Sequence, residues 1–211
     1  MFFTQFLTVA IVHLLAVMSP GPDFAMVTRN SLIHSRKSGI YTSLGLAGGI
    51  GVHVTYCLFG IGILISQSII IFSVIKFIGA GYLIYIGYKS IRAKPKEEIG
   101  LIQNAPSASA AISPLKSVRI GFLTNVLNPK ATLFMLALFT QVISTTTPKS
   151  WEIMYGVEMM LATFAWFSIV SVFFSNKAIK SWVSRFQHYI ERATGVVLIA
   201  LGIKVALVSQ K

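Results

Sequence analysis

Ser19-Pro20-Gly21-Pro22-Asp23 interrupts an apolar run that extends from Phe2 to about Val27. Two prolines and a glycine in succession cannot continue a helix. Each proline lacks the amide donor, and its ring clashes with the preceding turn. The same stretch holds the only aspartate of the chain. A second apolar run is interrupted in a similar way at Asn128-Pro129-Lys130. Aligning Pro22 with Pro129 sets Asp23 opposite Lys130. The pattern reads as two broken membrane helices that present one acid and one base to a small zwitterion.

Charged residues make up 11% of the 211-residue chain and hydrophobic residues 55%, whereas a soluble domain carries about 25% charge. Several apolar runs approach or exceed the ~20 residues that cross a bilayer. These features predict an all-α, multi-pass membrane protein. The formal net charge is +12. The bases lie between apolar runs rather than along one soluble face, which suits orientation in a lipid bilayer and not nucleic-acid binding. Cys57 is the single cysteine. It has no internal disulfide partner, and no Cys/His cluster suggests a metal, so no cofactor is expected. The first run lacks a basic leader and a small-residue cleavage pattern, and is expected to stay as a spanning helix.

The chain then divides into six helices. The first runs from about Thr4 to Asn30. The stretch from Gly39 to Tyr88 holds no acid and is too long for one span, so it splits near Ser66–Ser73 into helices two and three. A Pro/Ala/Ser-rich segment from Ala93 to Ser117 reads as a linker. Helix four covers about Val118 to Ile143 and helix five Trp151 to Phe174. A basic segment with Lys177, Lys180 and Arg185 precedes helix six, from about Tyr189 to Val208. With six helices, thirteen of the eighteen bases fall on one side; Lys76, Lys149, Lys204 and Lys211 fall on the other, and Lys130 lies within the membrane. The positive-inside rule puts the basic side in the cytoplasm and both termini outside. Lys76 and Lys204 are expected to snorkel to the outer surface.

The halves resemble each other. Leu83-Ile84-Tyr85-Ile86-Gly87-Tyr88-Lys89 is similar to Leu198-Ile199-Ala200-Leu201-Gly202-Ile203-Lys204, and the two breaks occupy equivalent places. The expected organisation is a first three-helix repeat over residues 1–92, a cytoplasmic linker over 93–117 and a second repeat over 118–211. An odd number of helices per repeat inserts the second copy upside down.

A break inside a membrane frees backbone groups that must face protein or a water-filled cavity. Pro20, Gly21, Pro22 and Pro129 make the breaks. Asp23, Asn125, Asn128 and Lys130 are the substrate-binding candidates. The half-helix that starts at Asp23 aims its amides and its positive dipole end at the break, which suits a carboxylate. An intramembrane aspartate costs about 2.5–3.5 kcal/mol on insertion scales. Asp23 therefore either receives an ammonium group or a proton, or caps the half-helix. Lys130 either meets the ligand carboxylate or pairs with Asp23 or Glu158. Glu158 joins Asp23 as a candidate for proton coupling. His13 and His53 read as packed, hydrogen-bonded residues, and Phe164, Trp166 and Phe167 as packing. Gly45 and Gly49 form a G-x-x-x-G pair for close helix packing, a face on which a homodimer is also conceivable. No phosphate-binding loop, G-x-S-x-G elbow or paired-acid metal motif points to an enzyme.

Met18-Ser19-Pro20-Gly21-Pro22-Asp23-Phe24, followed by Arg36-Lys37-Ser38-Gly39, resembles the LysE/RhtB family of amino-acid exporters. Gly121-Phe122-Leu123-Thr124-Asn125-Val126-Leu127-Asn128-Pro129-Lys130 is a second family-like block, and the likeness runs from about Phe6 to Gly202. Phe6-Leu7-Thr8-Val9-Ala10 and Ala165-Trp166-Phe167 look closest to the homoserine/threonine-exporter branch. The resemblance implies a bacterial inner-membrane protein that exports amino acids or close derivatives against proton entry. It implies that Pro20, Pro22, Asp23, Asn128, Pro129 and Lys130 line or shape the pathway. A carrier of other small amines or lipophilic cations is the alternative.

Overall fold

The computed structural model describes residues 2–67, 69–92, 112–142, 147–174 and 177–207. Among these, every regular element is an α-helix: α1 (Phe2–Met18), α2 (Pro22–Ile33), α3 (Arg36–Gln67), α4 (Ile69–Ile91), α5 (Pro114–Val126), α6 (Pro129–Val142), α7 (Lys149–Phe174) and α8 (Lys177–Leu207). The prolines act where proline chemistry requires. α1 and α2 meet at a bend of 57° and α5 and α6 at a bend of 58°. Pro22 and Pro129 each take the first position of the helix that follows, where a missing amide costs nothing.

Two single helices, α3 and α7, are long and apolar enough to cross a membrane, and each bent pair also qualifies as one span. Exposure is distributed as lipid would demand. Phe59, Ile70, Ile153 and Leu161 are 61–77% exposed, while Asn30, Thr42, Asn125, Ser171 and Thr194 are fully buried. An apolar exterior around polar contacts reverses the arrangement of a soluble domain. Inside, hydroxyls and amides link the helices. Asn30 Nδ2 donates to Thr42 Oγ1 at 2.9 Å, and Ser171 Oγ donates to the Arg36 carbonyl and lies 2.9 Å from Ser31 Oγ.

α3 is the hub. Gly45 lies against the backbone of α5 at Val118 and Phe122, Gly121 of α5 lies against Thr42 and Leu46 of α3, and Gly49 lies under the Asn125 side chain. The G-x-x-x-G face is thus occupied within the chain, which withdraws it from a second copy. Gly87 and Gly195 bring α4 and α8 together in the same way. One apolar cluster joins α1, α3, α4, α6, α7 and α8 around Met135, Leu138 and Tyr155; a second joins α2, α3 and α7 around Val27, Leu46 and Phe167. The first break lies where the chain passes from one cluster to the other.

Several boundaries differ from the sequence expectation. α5 opens at Pro114, inside the stretch read as linker; Ser113 caps it by accepting from Lys116 N–H at 3.3 Å. Linker residues 93–111 lie outside the described residues. α8 is already helical from Lys177, where a basic loop was expected. Lys76 is buried rather than extended to a surface, whereas Lys204 is exposed.

Candidate functional site

The two breaks meet, and each is completed by the other. Asp23, in the first turn of α2, accepts from Asn125 Nδ2 at 2.8 Å through Oδ2 and from Asn128 Nδ2 at 3.1 Å through Oδ1. Lys130, in the first turn of α6, reaches back to the first break. Its Nζ donates to the Ser19 carbonyl at 3.0 Å, to Ser19 Oγ at 3.0 Å and to the Pro20 carbonyl at 3.3 Å. The acid of one break is held by amides of the other, and the base of one by carbonyls of the other. Asp23 does not cap its own half-helix. The cap position is Gly21, with no side-chain bond, and the carboxylate points across to α5.

The geometry has local causes. Carbonyls at the end of α1 lack helical partners, and the negative end of its dipole faces them. A long lysine stem delivers an ammonium there. Gly21 lies beside it, in van der Waals range of the lysine stem and ammonium. Asn128 has its orientation set by the backbone: its Oδ1 accepts from Lys130 N–H at 3.0 Å, so its NH₂ group is left to face Asp23. Pro129 has no amide for the Asn125 carbonyl four residues earlier. That carbonyl instead accepts from Asn128 N–H at 2.9 Å and from His53 Nε2 at 3.0 Å. Because a carbonyl only accepts, Nε2 carries the proton, and His53 Nδ1 accepts from the Tyr56 hydroxyl at 2.8 Å.

Around these groups lies a small, partly open hollow of about 50 Å³. Ser19, Asp23, Asn128 and Lys130 supply its polar rim; His13, Phe24, Ile50, Phe134, Met135 and Phe167 supply most of the remaining wall. All three protons of Lys130 are engaged. A carboxylate offers about four lone-pair positions, and two at Asp23 are used by the asparagines. This state therefore offers acceptor capacity to a cation. Lys130 must leave the Ser19 and Pro20 carbonyls before it can meet an anion.

Glu158 stands apart. It is not among the residues that line the hollow, and its Oε2 is buried with no hydrogen bond among the described residues. Glu191 is half-buried on α8 and close enough for its charge to act on Lys130. One turn further, Thr194 Oγ1 donates to the Leu15 carbonyl at 3.2 Å, which anchors α8 to the end of α1. His53 is packed and hydrogen-bonded, as its sequence setting suggests, and its partners tie it to the second break. It lies four residues after Gly49, on the stripe that faces α5. Among the described residues no group of three or more His, Cys, Asp or Glu side chains converges on a metal-sized site.

Two substitutions test this construction. Lys130→Met leaves the Ser19 and Pro20 carbonyls without a donor. A loss of about 2 kcal/mol or more is expected, seen as a lower unfolding midpoint in detergent. His53→Phe removes one of two donors to the Asn125 carbonyl and frees the Tyr56 hydroxyl, for an expected loss of about 1 kcal/mol in the same assay.

Apolar helices with two broken segments and a shared hollow whose polar rim holds one acid and one base define a membrane transport protein. The chain belongs to the LysE type translocator family, whose model matches residues 14–209. It is 32% identical to the threonine efflux protein of Escherichia coli (strain K12) over 200 residues, covering 94% of this chain and 95% of that protein. It is also 32% identical to the uncharacterised membrane protein YrhP of Bacillus subtilis (strain 168) over 198 residues, covering 90% of this chain and 93% of the relative. The threonine efflux protein of Salmonella typhimurium (strain LT2) is 30% identical over 201 residues, 94% of this chain and 95% of the relative. No solved structure matches the chain.

Proposed function

We propose that the protein is a secondary exporter of amino acids, driven by proton antiport, with a neutral or polar substrate of the threonine or homoserine kind. The observation that carries this reading is the reciprocal bonding of the two breaks, Asp23 to Asn125 and Asn128 and Lys130 to Ser19 and Pro20. In this scheme Asp23 receives the ammonium group. The substrate carboxylate replaces the α1 carbonyls as the partner of Lys130, with help from the α2 N-terminus. A proton and a cationic amine compete for the same carboxylate, so release of one favours uptake of the other. Competition of that kind couples export to proton entry. Glu158 is kept as a second proton carrier, relayed rather than in contact with the substrate.

Four spans come from α1/α2, α3, α5/α6 and α7; α4 and α8 complete six. The segment up to Ile91 and the segment from Pro114 onward then form inverted three-helix repeats, joined by a cytoplasmic linker that ends where α5 begins, in a bacterial inner membrane, with both termini outside. The similar bends at equivalent places support the repeat, and the threonine efflux names of relatives support the substrate class. A homodimer would need a face other than Gly45–Gly49.

One observation favours a second reading. Phe24, Phe134 and Phe167 line the hollow beside one acid, which also suits a small lipophilic cation. Counterflow in proteoliposomes separates the two. Labelled threonine or homoserine should exchange, and a pH gradient should accelerate it. Exchange of an aromatic cation with no amino-acid exchange would favour the second reading, and no exchange of either would reject both.

A further inference from the structure

His13 lines the hollow from α1, is 1% exposed, and has no hydrogen-bond partner at Nδ1 among the described residues. Its other nitrogen, Nε2, lies 3.5 Å from Thr163 Oγ1 of α7, at the outer limit of a hydrogen bond. The ring is otherwise enclosed by apolar groups, with the Phe134 ring centroid 6.4 Å away. A buried ring nitrogen without a partner loses the water it would bind in solution, so the site is unfavourable when empty. We propose that His13 Nδ1 completes its bonding on the substrate, by contact with a hydroxyl on the substrate side chain, and so sets selectivity. The inference rests on the amino-acid export reading and deepens it.

The chemistry narrows the ligand. If Thr163 donates to Nε2, Nδ1 carries a proton and donates; if Nε2 donates to Thr163, Nδ1 accepts. A hydroxyl serves in both cases, because it is donor and acceptor at once. Position narrows it further. His13 is six residues before Ser19, which is about 9 Å of helix. The α-amino and α-carboxyl groups belong at the Asp23–Lys130 rim, so the hydroxyl must sit at the end of an extended side chain. That favours homoserine over threonine.

The test is counterflow of isosteric pairs in proteoliposomes. Homoserine and norvaline differ by a terminal hydroxyl against a methyl group, and threonine and valine by the same exchange closer to the α-carbon. The wild type is expected to prefer homoserine over norvaline roughly tenfold or more, and threonine over valine by less. In His13→Phe the homoserine/norvaline ratio is expected to fall toward one. In His13→Gln, which keeps a donor and an acceptor, it should take an intermediate value. Should His13→Phe fail to reconstitute, the wild-type ratio and His13→Gln decide. A wild-type ratio near one overturns the assignment. So does a ratio that survives both substitutions, or an equal loss for both substrates, as when a bound water satisfies Nδ1. A wild type that exchanges no amino acid at all rejects the export reading, and this inference with it.

Discussion

Export is expected to fall at least about thirtyfold in Asp23→Asn, while the protein stays folded and in the membrane. The hydrogen bonds explain why the fold survives. Asn128 cannot turn over, since its Oδ1 is committed to Lys130 N–H. It continues to donate, and an asparagine oxygen at position 23 can accept. Asn125 is under no such constraint. Its Oδ1 is buried with no partner among the described residues, so a flip presents that oxygen to the new NH₂ group at position 23. Both bonds persist in neutral form. What disappears is the charge that balances an ammonium group or binds a proton. Removing one partner from a buried charged pair costs about 2–5 kcal/mol, or roughly 30- to 4,000-fold in affinity. Stimulation by a pH gradient should vanish as well. The measurement is proteoliposome exchange with and without the gradient, on material matched for incorporation. Undiminished, gradient-stimulated export by this variant would remove Asp23 from the mechanism.

The parts of this site that were legible in the sequence are those with local causes. Pro20, Pro22 and Pro129 break helices through their own rings and missing amides, so both breaks and their bends follow from the residues. Gly45 and Gly49 announce close packing, and α5 fills that groove. Reach was not legible. Alignment of the breaks set Lys130 against Asp23, yet a four-carbon stem lets the ammonium pass the acid and settle on the Ser19 and Pro20 carbonyls. Proline chemistry does show that the Asn125 carbonyl has lost its amide partner, but it does not say that His53, from another helix, replaces it. Hydropathy does not reveal the start of α8. Lys177, Ala178, Lys180, Arg185 and Gln187 are good helix formers, and a basic stretch can be helical without being buried. At Ser113-Pro114 the sequence held a helix start, a serine cap followed by proline at the first position, inside a segment whose composition suggested linker.

Gly121→Val should eliminate folded protein, although the residue touches neither the hollow nor its rim. A Cβ at position 121 would overlap the Thr42 carbonyl and stand 3.1 Å from Leu46 N, and one at Gly45 would overlap the Val118 carbonyl. These are backbone atoms on both sides, so no rotamer change relieves the clash and α5 must move away from α3. Overpacking costs about 1–3 kcal/mol where side chains can yield; here about 3 kcal/mol or more is expected. The damage reaches the site by a short route. Asn125 is one turn beyond Gly121, and its side chain rests on Gly49, where a Cβ would stand 2.6 Å from its oxygen. Displacing α5 withdraws the Asn125 amide from Asp23 and its carbonyl from His53. Gly60→Ala and Gly81→Ala are the controls. Nothing lies within 4 Å of a Cβ at either position, and alanine favours a helix interior by about 0.5–1 kcal/mol over glycine. Both controls should keep or slightly raise the unfolding midpoint and the monodisperse yield in detergent, while Gly121→Val loses the folded peak. A normal yield and midpoint for Gly121→Val would mean that α3 and α5 are not in backbone contact, and that the cradle of Asp23 is built in some other way.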